Sequence, residues 1–286
     1  MAGGALVIWA AVVMLAIHYG RRHASGPSQR RDRLLIVGGG VVVPIVVLSV
    51  LLLYGLSMIP PLVARAPEGS LQVDVLGEQW WWRVRYRHPS GSRVELANEI
   101  RLPVGEPVQF RLESHNVIHS FWVPSLGGKM DMIPGRTTFL TLRPARTGVF
   151  RGVCAEYCGA SHALMAFYVE VMEKEAFARW LDGQAAPARL PETPRAAAGR
   201  ELFLSNGCGA CHHVAGTPAT GRLGPDLTHV ASRHSLAAGI MPNRADAVLR
   251  WIADPEHFKP EVHMPRFGML SQDDLQALAA YLAELR

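Results

Sequence analysis

The chain is poor in cysteine. Its 286 residues contain four, and each lies in one of two short motifs: CAEYCGASHALM with Cys154 and Cys158, and CGACHH with Cys208 and Cys211. Because no cysteine stands outside these motifs, the pattern argues against a disulfide framework and favours metal or haem chemistry. The sequence also lacks internal repeats, which argues against a repeat architecture.

Net charge is small over most of the chain. The formal net charge is +5, and residues 21–33 contribute +4 of it, which leaves +1 for everything else. The sequence pI of 9.3 therefore reflects one basic segment and does not indicate nucleic-acid binding. The part from Gly199 onward has eight Arg or Lys against nine Asp or Glu, so it offers no strong patch for steering a basic partner.

Two long apolar runs flank the basic segment, and they predict transmembrane helices over about residues 4–20 and 34–59, since a span needs about 20 apolar residues. The segment between them contains five arginines: Arg21, Arg22, Arg30, Arg31 and Arg33. By the positive-inside rule this hairpin faces the cytoplasm, and the chain after the second run lies outside. A cleaved signal peptide is the alternative for the first run, but its basic residues follow the apolar stretch instead of preceding it.

The rest of the chain divides into a β-rich part and a helical part. Alternating apolar and polar residues, with frequent glycine and proline, predict a β-sandwich or barrel from about Leu71 to Met172. Helical periodicity near the C-terminus predicts a small α-domain in which Asn243 and Ser271 cap two helices. We therefore expect four regions: a helical hairpin over residues 1–62, a β-domain over 70–173, a helix and proline-rich linker over 174–197, and an α-domain over 198–286.

The first cysteine motif carries the donor atoms of a copper site. Cys154, Cys158, His162 and Met165 offer two thiolates, an imidazole and a thioether, and this soft set is typical of copper on a β-sandwich loop. With two thiolates each sulfur can bridge two metals, so the motif predicts a binuclear centre. A zinc site is the alternative, but it does not account for Met165.

A second imidazole is needed to complete this centre, and His115 and His119 are the nearby choices. The string HSFWVPSLGGKMDMIPGR begins at His119, and with the cysteine motif it resembles subunit II of the haem-copper cytochrome oxidases. The resemblance implies a cupredoxin-like domain with a dinuclear CuA centre and selects His119. The implied copper ligands are His119, Cys154, Cys158, His162, Met165 and the backbone carbonyl of Glu156. It also implies that the Glu156 carboxylate reaches a magnesium ion at the interface with subunit I.

The segment GEQWWWRVRY is a second point of resemblance, because it is similar to the family's aromatic segment GxQWxWxxxY. This similarity implies that electrons reach the copper centre through Trp80, with Trp81 where the family more often has tyrosine. Aromatic packing inside the sandwich is the alternative role, and we expect it for at least one of the three tryptophans. Quinol-oxidising relatives have lost the copper ligands, so their presence here implies a cytochrome c donor.

The second cysteine motif has the spacing of covalent c-type haem attachment. In Cys208-Gly-Ala-Cys211-His212 the two sulfurs would bind the haem vinyl groups and His212 would be the proximal iron ligand. A thioredoxin-like redox pair is the alternative interpretation of the cysteines. The histidine that follows, the helical surroundings and the extracytoplasmic side all favour haem.

Methionine is the expected sixth ligand of the iron, because it raises the potential towards that of an electron carrier. Met241, Met264 and Met269 are available. The C-terminal region resembles the end of class I cytochromes c, in which a Met-Pro pair precedes the last helix; this implies Met264, although Met241 is also followed by proline. The string GPDL resembles the loop whose proline carbonyl accepts a hydrogen bond from the axial histidine, which implies that role for Pro225.

Subunit II with a fused C-terminal cytochrome c is the arrangement of the caa-type oxidases, and the resemblance covers nearly the whole chain. It implies an electron-transfer subunit of the bacterial inner membrane with both soluble domains on the periplasmic or extracellular side. Electrons would pass from a cytochrome c or a membrane cytochrome to haem c, then to CuA, then to subunit I, which reduces oxygen and translocates protons; subunit III is a further implied partner. A nitric oxide reductase with a CuA-bearing subunit and a stand-alone membrane-anchored electron carrier are the alternatives.

Overall fold

The N-terminal region consists of apolar helices. The computed structural model describes residues 2–21, 29–88, 91 and 93–286, so Arg22 of the basic segment lies outside the described residues. The helices are α1 (Ala2–Arg21), α2 (Gln29–Arg33), a π-helical stretch (Leu34–Val42) and α3 (Val43–Val63). By length and composition two stretches could cross a membrane, Gly3–Arg21 and Leu34–Pro60, and neither is buried within the protein. The two apolar helices expected from the sequence are therefore present.

A β-sandwich follows the apolar helices. Its strands are β1 (Leu71–Glu78), β2 (Trp81–Arg87), β3 (Arg93–Ala97), β4 (Glu99–Pro103), β5 (Val108–Ser114), β6 (His119–Trp122), β7 (Met130–Met132), β8 (Thr138–Leu142), β9 (Gly148–Cys154) and β10 (Ala166–Met172). They form two five-stranded sheets in the orders β3-β2-β1-β5-β8 and β4-β10-β9-β6-β7. The predicted cupredoxin-like sandwich is confirmed.

Aromatic side chains fill the space between the two sheets. Phe121 and Phe167 stack with ring centroids 4.8 Å apart, and Trp82 lies 5.1 Å from Phe167. All three rings are fully buried, and each contributes about 1.5–3 kcal/mol by leaving water. The packing is tight because a Cβ at Gly152 on β9 would collide with the Phe167 ring. The role of core packing that we expected for at least one tryptophan therefore belongs to Trp82.

The C-terminal part is a small helical domain. After α4 (Lys174–Gln184), which packs Phe177 and Leu181 on the sandwich core, the chain forms short elements. These are α5 (Pro194–Ser205), α6 (Cys208–Cys211), β11 (Ser235–Leu236), β12 (Met241–Pro242), α7 (Ala245–Ala253), α8 (Pro255–Phe258) and α9 (Gln272–Glu284). Helices α5 and α9 pack through Phe203 and Tyr281, whose ring centroids lie 5.6 Å apart. The predicted α-domain is confirmed.

One of the two predicted helix caps is correct. The Ser271 hydroxyl accepts a hydrogen bond from the backbone N–H of Asp274 at 3.1 Å, as expected for the start of α9. The prediction for Asn243 was wrong, because α7 is preceded by Arg244 and has no side-chain cap. The Asn243 amide instead donates to the carbonyls of Val230 and Arg233, both at 2.8 Å. This side chain therefore holds a loop together.

Candidate copper and haem centres

The copper donors predicted from the sequence come together at one end of the sandwich. Strand β6 begins at His119, β9 ends at Cys154, and the following loop folds back to Met165 at the start of β10. The Sγ of Cys154 lies 3.8 Å from Sγ of Cys158, 3.7 Å from Nδ1 of His119 and 3.2 Å from the carbonyl oxygen of Glu156. The Sγ of Cys158 lies 3.5 Å from Nδ1 of His162 and 3.8 Å from Sδ of Met165. The other four predicted donors therefore surround the two sulfurs.

The chemistry of this cluster fits copper. The hydrogen bond between the two sulfurs lowers the pKa of Cys154 and raises the pKa of Cys158, so the thiolate forms more readily at Cys154. His119, Cys158 and Met165 are buried, and thiolates, imidazoles and a thioether are the donors that copper prefers. His115 is exposed and lies 3.3 Å from Glu78 instead. Of the two histidines that could supply the second imidazole, His119 is the one in the cluster.

Trp80 is hydrogen-bonded directly to the segment of residues 154–165, which we call the copper loop. Its indole Nε1 donates to the carbonyl of Cys158 at 2.9 Å, and the side-chain amide of Gln79 donates to the same oxygen at 2.9 Å. Trp80 is only 3% exposed, and part of its cover comes from the helical domain, since the His263 ring lies 6.2 Å from its ring. The Glu156 side chain, by contrast, is exposed.

The predicted haem attachment site lies on α6 and the residue after it. The Nδ1–H of His212 donates to the carbonyl of Pro225 at 2.7 Å, so the second-sphere contact expected of Pro225 exists. Burial lowers the pKa of His212, which keeps the imidazole neutral. With the proton on Nδ1, Nε2 retains the lone pair that iron would need. A Cβ at Gly224 would lie 2.6 Å from Cε1 of His212, so the glycine lets the loop pack against the ring.

The apolar surroundings of this site also fit a porphyrin. Several hydrophobic side chains next to the helical core are only partly buried, among them Leu227, Met264, Phe267 and Leu270. A flat, largely apolar ring needs such contacts. Of the three candidate methionines, Met269 is 76% exposed, Met241 is buried in β12 and Met264 is half-buried against the core. His213 pairs with Asp226, with Nδ1 2.7 Å from Oδ2.

Sequence reasoning missed how closely the helical domain packs on the copper loop. The Nζ of Lys259 donates to the carbonyl of Trp80 at 2.5 Å and to that of Leu164 at 3.0 Å. The Ser161 hydroxyl donates to the carbonyl of Pro260 at 2.6 Å. A lysine between phenylalanine and proline carries no periodic signal that marks it as an interface residue. The one available signal is that lysine is scarce, because the chain has only three lysines.

Apolar helices, a cupredoxin-like sandwich with a cluster of soft metal donors, and a domain with a c-type haem motif define a membrane-anchored electron-transfer protein of the copper and haem class. Residues 87–172 match the family described as cytochrome C oxidase subunit II, periplasmic domain, and residues 196–286 match the family described as cytochrome c. The chain belongs to the cytochrome c oxidase subunit 2 family. Membership implies copper in the sandwich and haem c in the helical domain.

Two sequence relatives support this membership. The chain is 33% identical to cytochrome c oxidase subunit 2 of Alkalihalophilus pseudofirmus over 293 residues, which is 100% of this chain and 84% of the relative. It is 32% identical to cytochrome c oxidase subunit 2 of Bacillus subtilis over 232 residues, 78% of this chain and 64% of that relative. Among solved structures, the periplasmic domain of subunit II of cytochrome oxidase from Bradyrhizobium japonicum is similar with a TM-score of 0.39 and 31% identity, covering 43% of this chain and 96% of that one.

Proposed function

We propose that this chain carries electrons into a terminal oxidase. In this proposal electrons from an external cytochrome c-type donor would pass by way of haem c, held by the helical domain, and dinuclear CuA, held by the sandwich, to the haem groups of subunit I, where oxygen would be reduced to water with proton translocation. The observation that carries the proposal is the position of Trp80, which is hydrogen-bonded to the copper loop and nearly enclosed. Since the helical domain covers this tryptophan, an external donor meets the helical domain first.

The side chains have separate tasks in this scheme. Bound copper and haem would supply reversible one-electron chemistry. Cys154 and Cys158 would hold the copper pair, with His119, His162, Met165 and the Glu156 carbonyl as the remaining ligands. Cys208, Cys211, His212 and Met264 would hold the haem and its iron, and the Pro225 carbonyl fixes the orientation of the His212 ring. His119, Cys154, Cys158 and Met165 are buried, which keeps water away from these copper ligands and limits solvent reorganisation when the charge changes.

The rest of the proposal concerns the complex. The exposed Glu156 carboxylate is available for a magnesium ion shared with subunit I. Two apolar helices joined by an arginine-rich segment would anchor the chain as a hairpin, with both soluble domains on the periplasmic side of the bacterial inner membrane. Subunit III would be a further partner.

Spectroscopy of the purified complex tests the proposal. We expect a c-type α-band on reduction, a mixed-valence copper signal by electron paramagnetic resonance, and oxygen rather than nitric oxide as the acceptor. Cys154→Ser should remove the copper signal alone and Cys208→Ser the covalent haem alone. His119→Asn should remove the copper signal and the control His115→Asn should keep it, while Met264→Leu should abolish low-spin ligation. Retention of both signals in both serine variants would contradict the assignment.

A further inference from the structure

Lys259 makes an unusual set of contacts at the boundary between the helical domain and the sandwich. It directly follows α8, is 2% exposed, and its Nζ lies 2.5 Å from the Trp80 carbonyl, 3.0 Å from the Leu164 carbonyl and 3.3 Å from the Ala237 carbonyl. Two of these three acceptors belong to the sandwich. Trp80 is hydrogen-bonded to the copper loop through the Cys158 carbonyl, and Leu164 lies inside that loop between His162 and Met165.

The number of acceptors matches the chemistry of the side chain. An ammonium group has three N–H donors and no acceptor, and here each donor has a backbone carbonyl. Among the described residues Lys259 has no carboxylate partner. A buried polar group is tolerated only when its hydrogen-bonding capacity is met. Two of the three hydrogen-bond partners of Lys259 therefore belong to the sandwich. The side chain can bond to them only while the two domains are in contact.

Neighbouring contacts are close and formed by backbone atoms. The N–H of Ala166 donates to the carbonyl of Ala238 at 3.0 Å, across the same boundary. A Cβ at Gly239 would lie 3.1 Å from Cβ of Ala166, so the two backbone segments approach each other closely. The Ser161 hydroxyl, fully buried, donates to the Pro260 carbonyl at 2.6 Å. Contacts of this kind specify a single orientation, unlike a loose encounter between charged surfaces.

Two arginines also cross the boundary, but they differ from Lys259 in one respect. Arg83 pairs with Glu78 and Glu95 of its own sandwich and reaches the helical domain through bonds to the carbonyls of Arg222 at 2.9 Å and Leu223 at 3.5 Å. Arg101 likewise pairs with carboxylates of the sandwich. If the domains separated, both arginines would keep their ion pairs. Lys259 would lose most of its partners, so its contacts discriminate between the docked and the separated arrangement.

We propose that Lys259 is a positioning residue that holds the helical domain in one fixed orientation against Trp80 and the copper loop. The domain then stays docked during turnover instead of swinging on the linker between α4 and α5. The inference rests on the proposed function in one respect: the proposed function identifies the positioned groups as a haem and a copper centre. The docking itself is a property of the polypeptide.

Chemical labelling of lysine tests the docking without any variant. The full-length chain in detergent would be treated with an amine-reactive ester, and modification of each lysine would be followed by mass spectrometry. Lys129 and Lys174, whose side chains are 45% and 68% exposed, are internal controls. We expect Lys259 to react about a hundredfold more slowly than the controls, since reaction requires the domains to open. A rate comparable to theirs would overturn the proposal.

A variant tests the role of the side chain itself. Lys259→Met keeps the length of the side chain and removes its donors, and Lys174→Met is the matched control. In the loaded complex we expect haem-to-copper electron transfer to slow about tenfold in Lys259→Met, from the loss of the three hydrogen bonds of Nζ, and to become dependent on solvent viscosity. Hydrogen exchange at the Ala166 amide should accelerate in the same variant, while Lys174→Met behaves like the unmodified chain.

The outcomes separate the two proposals. Lys259→Met with both spectra intact, an unchanged transfer rate and an unchanged Ala166 exchange rate would refute the role of Lys259. Absence of the copper or haem signal from the unmodified complex would refute the proposed function, and the labelling result would still decide whether the domains are docked. If Lys259→Met fails to fold, labelling of the unmodified chain decides the inference.

Discussion

The copper region and the haem region differ in how much of each site the polypeptide assembles by itself. Strands β6 and β9 pair with Phe121 opposite Cys154, so the sheet fixes the positions of the first histidine and the first cysteine. The attachment cysteines lie on α6, a helix of four residues, and the segment from there to α7 contains little regular structure. Backbone hydrogen bonds fix the geometry of a site on paired strands. The geometry of a site on irregular segments depends instead on the group that those segments enclose.

The two hydrophobic cores show the same contrast. Among the residues that the structure describes, the sandwich core has 27 buried members and seven partly buried ones, and the helical core has 12 and 11. Nearly half of the apolar side chains of the helical core therefore keep some exposed surface. We infer that the helical domain obtains a large share of its stability from its prosthetic group and that the sandwich does not.

Removal of each cofactor is the strongest test of this contrast. In the double variant Cys208→Ser/Cys211→Ser we expect the helical domain to lose its cooperative structure, because binding free energy to a prosthetic group adds directly to folding free energy. Cys154→Ser/Cys158→Ser is the matched control, and its sandwich should remain folded. Circular dichroism during thermal unfolding, with limited proteolysis to identify the unfolded part, would measure both. Cooperative unfolding of the helical domain in the haem-free variant would contradict the proposed difference between the two domains.

Overpacking the sandwich tests the other half of the contrast, with a smaller effect. Gly152→Ala places a methyl group against the Phe167 ring, which cannot move away because Phe121 and Trp82 pack on it. We expect a loss of about 1–3 kcal/mol in the free energy of unfolding of the sandwich. The control is Gly128→Ala, since a Cβ there meets nothing within 4 Å. Denaturant unfolding monitored by tryptophan fluorescence gives the two values, and equal values would mean that the aromatic core is more adaptable than its packing indicates.

The sequence could predict the copper donors well because they are chemically specific and close together along the chain. Cys154, Cys158, His162 and Met165 span one loop, and the cluster observed in the structure contains all of them. The choice between His115 and His119 needed either the family resemblance or the structure, since both stand near the start of β6. Spacing alone cannot tell which of two histidines points inward.

Contacts that depend on two distant segments could not be predicted. Lys259 and Trp80 are separated by 179 positions, and neither periodicity nor a motif links them. The helix caps illustrate the same limit on a local scale. Ser271 follows a rule that involves three residues, whereas Asn243 bonds to carbonyls 10 and 13 positions away. Local rules therefore predicted the first residue correctly and failed for the second.

The cap of α9 gives the smallest expected effect, and it sharpens the comparison within the helical domain. Ser271→Ala removes the acceptor for the Asp274 N–H and should lower the free energy of unfolding of the haem-loaded domain by about 1 kcal/mol. Ser205→Ala is the control, because that hydroxyl bonds only to the Leu202 carbonyl within the last turn of α5, where alanine is at least as favourable. Thermal unfolding followed at the haem absorbance would measure both variants. An effect of several kcal/mol from Ser271→Ala would mean that α9 depends on its own cap more than on packing around the haem, which contradicts the view that the prosthetic group organises this domain.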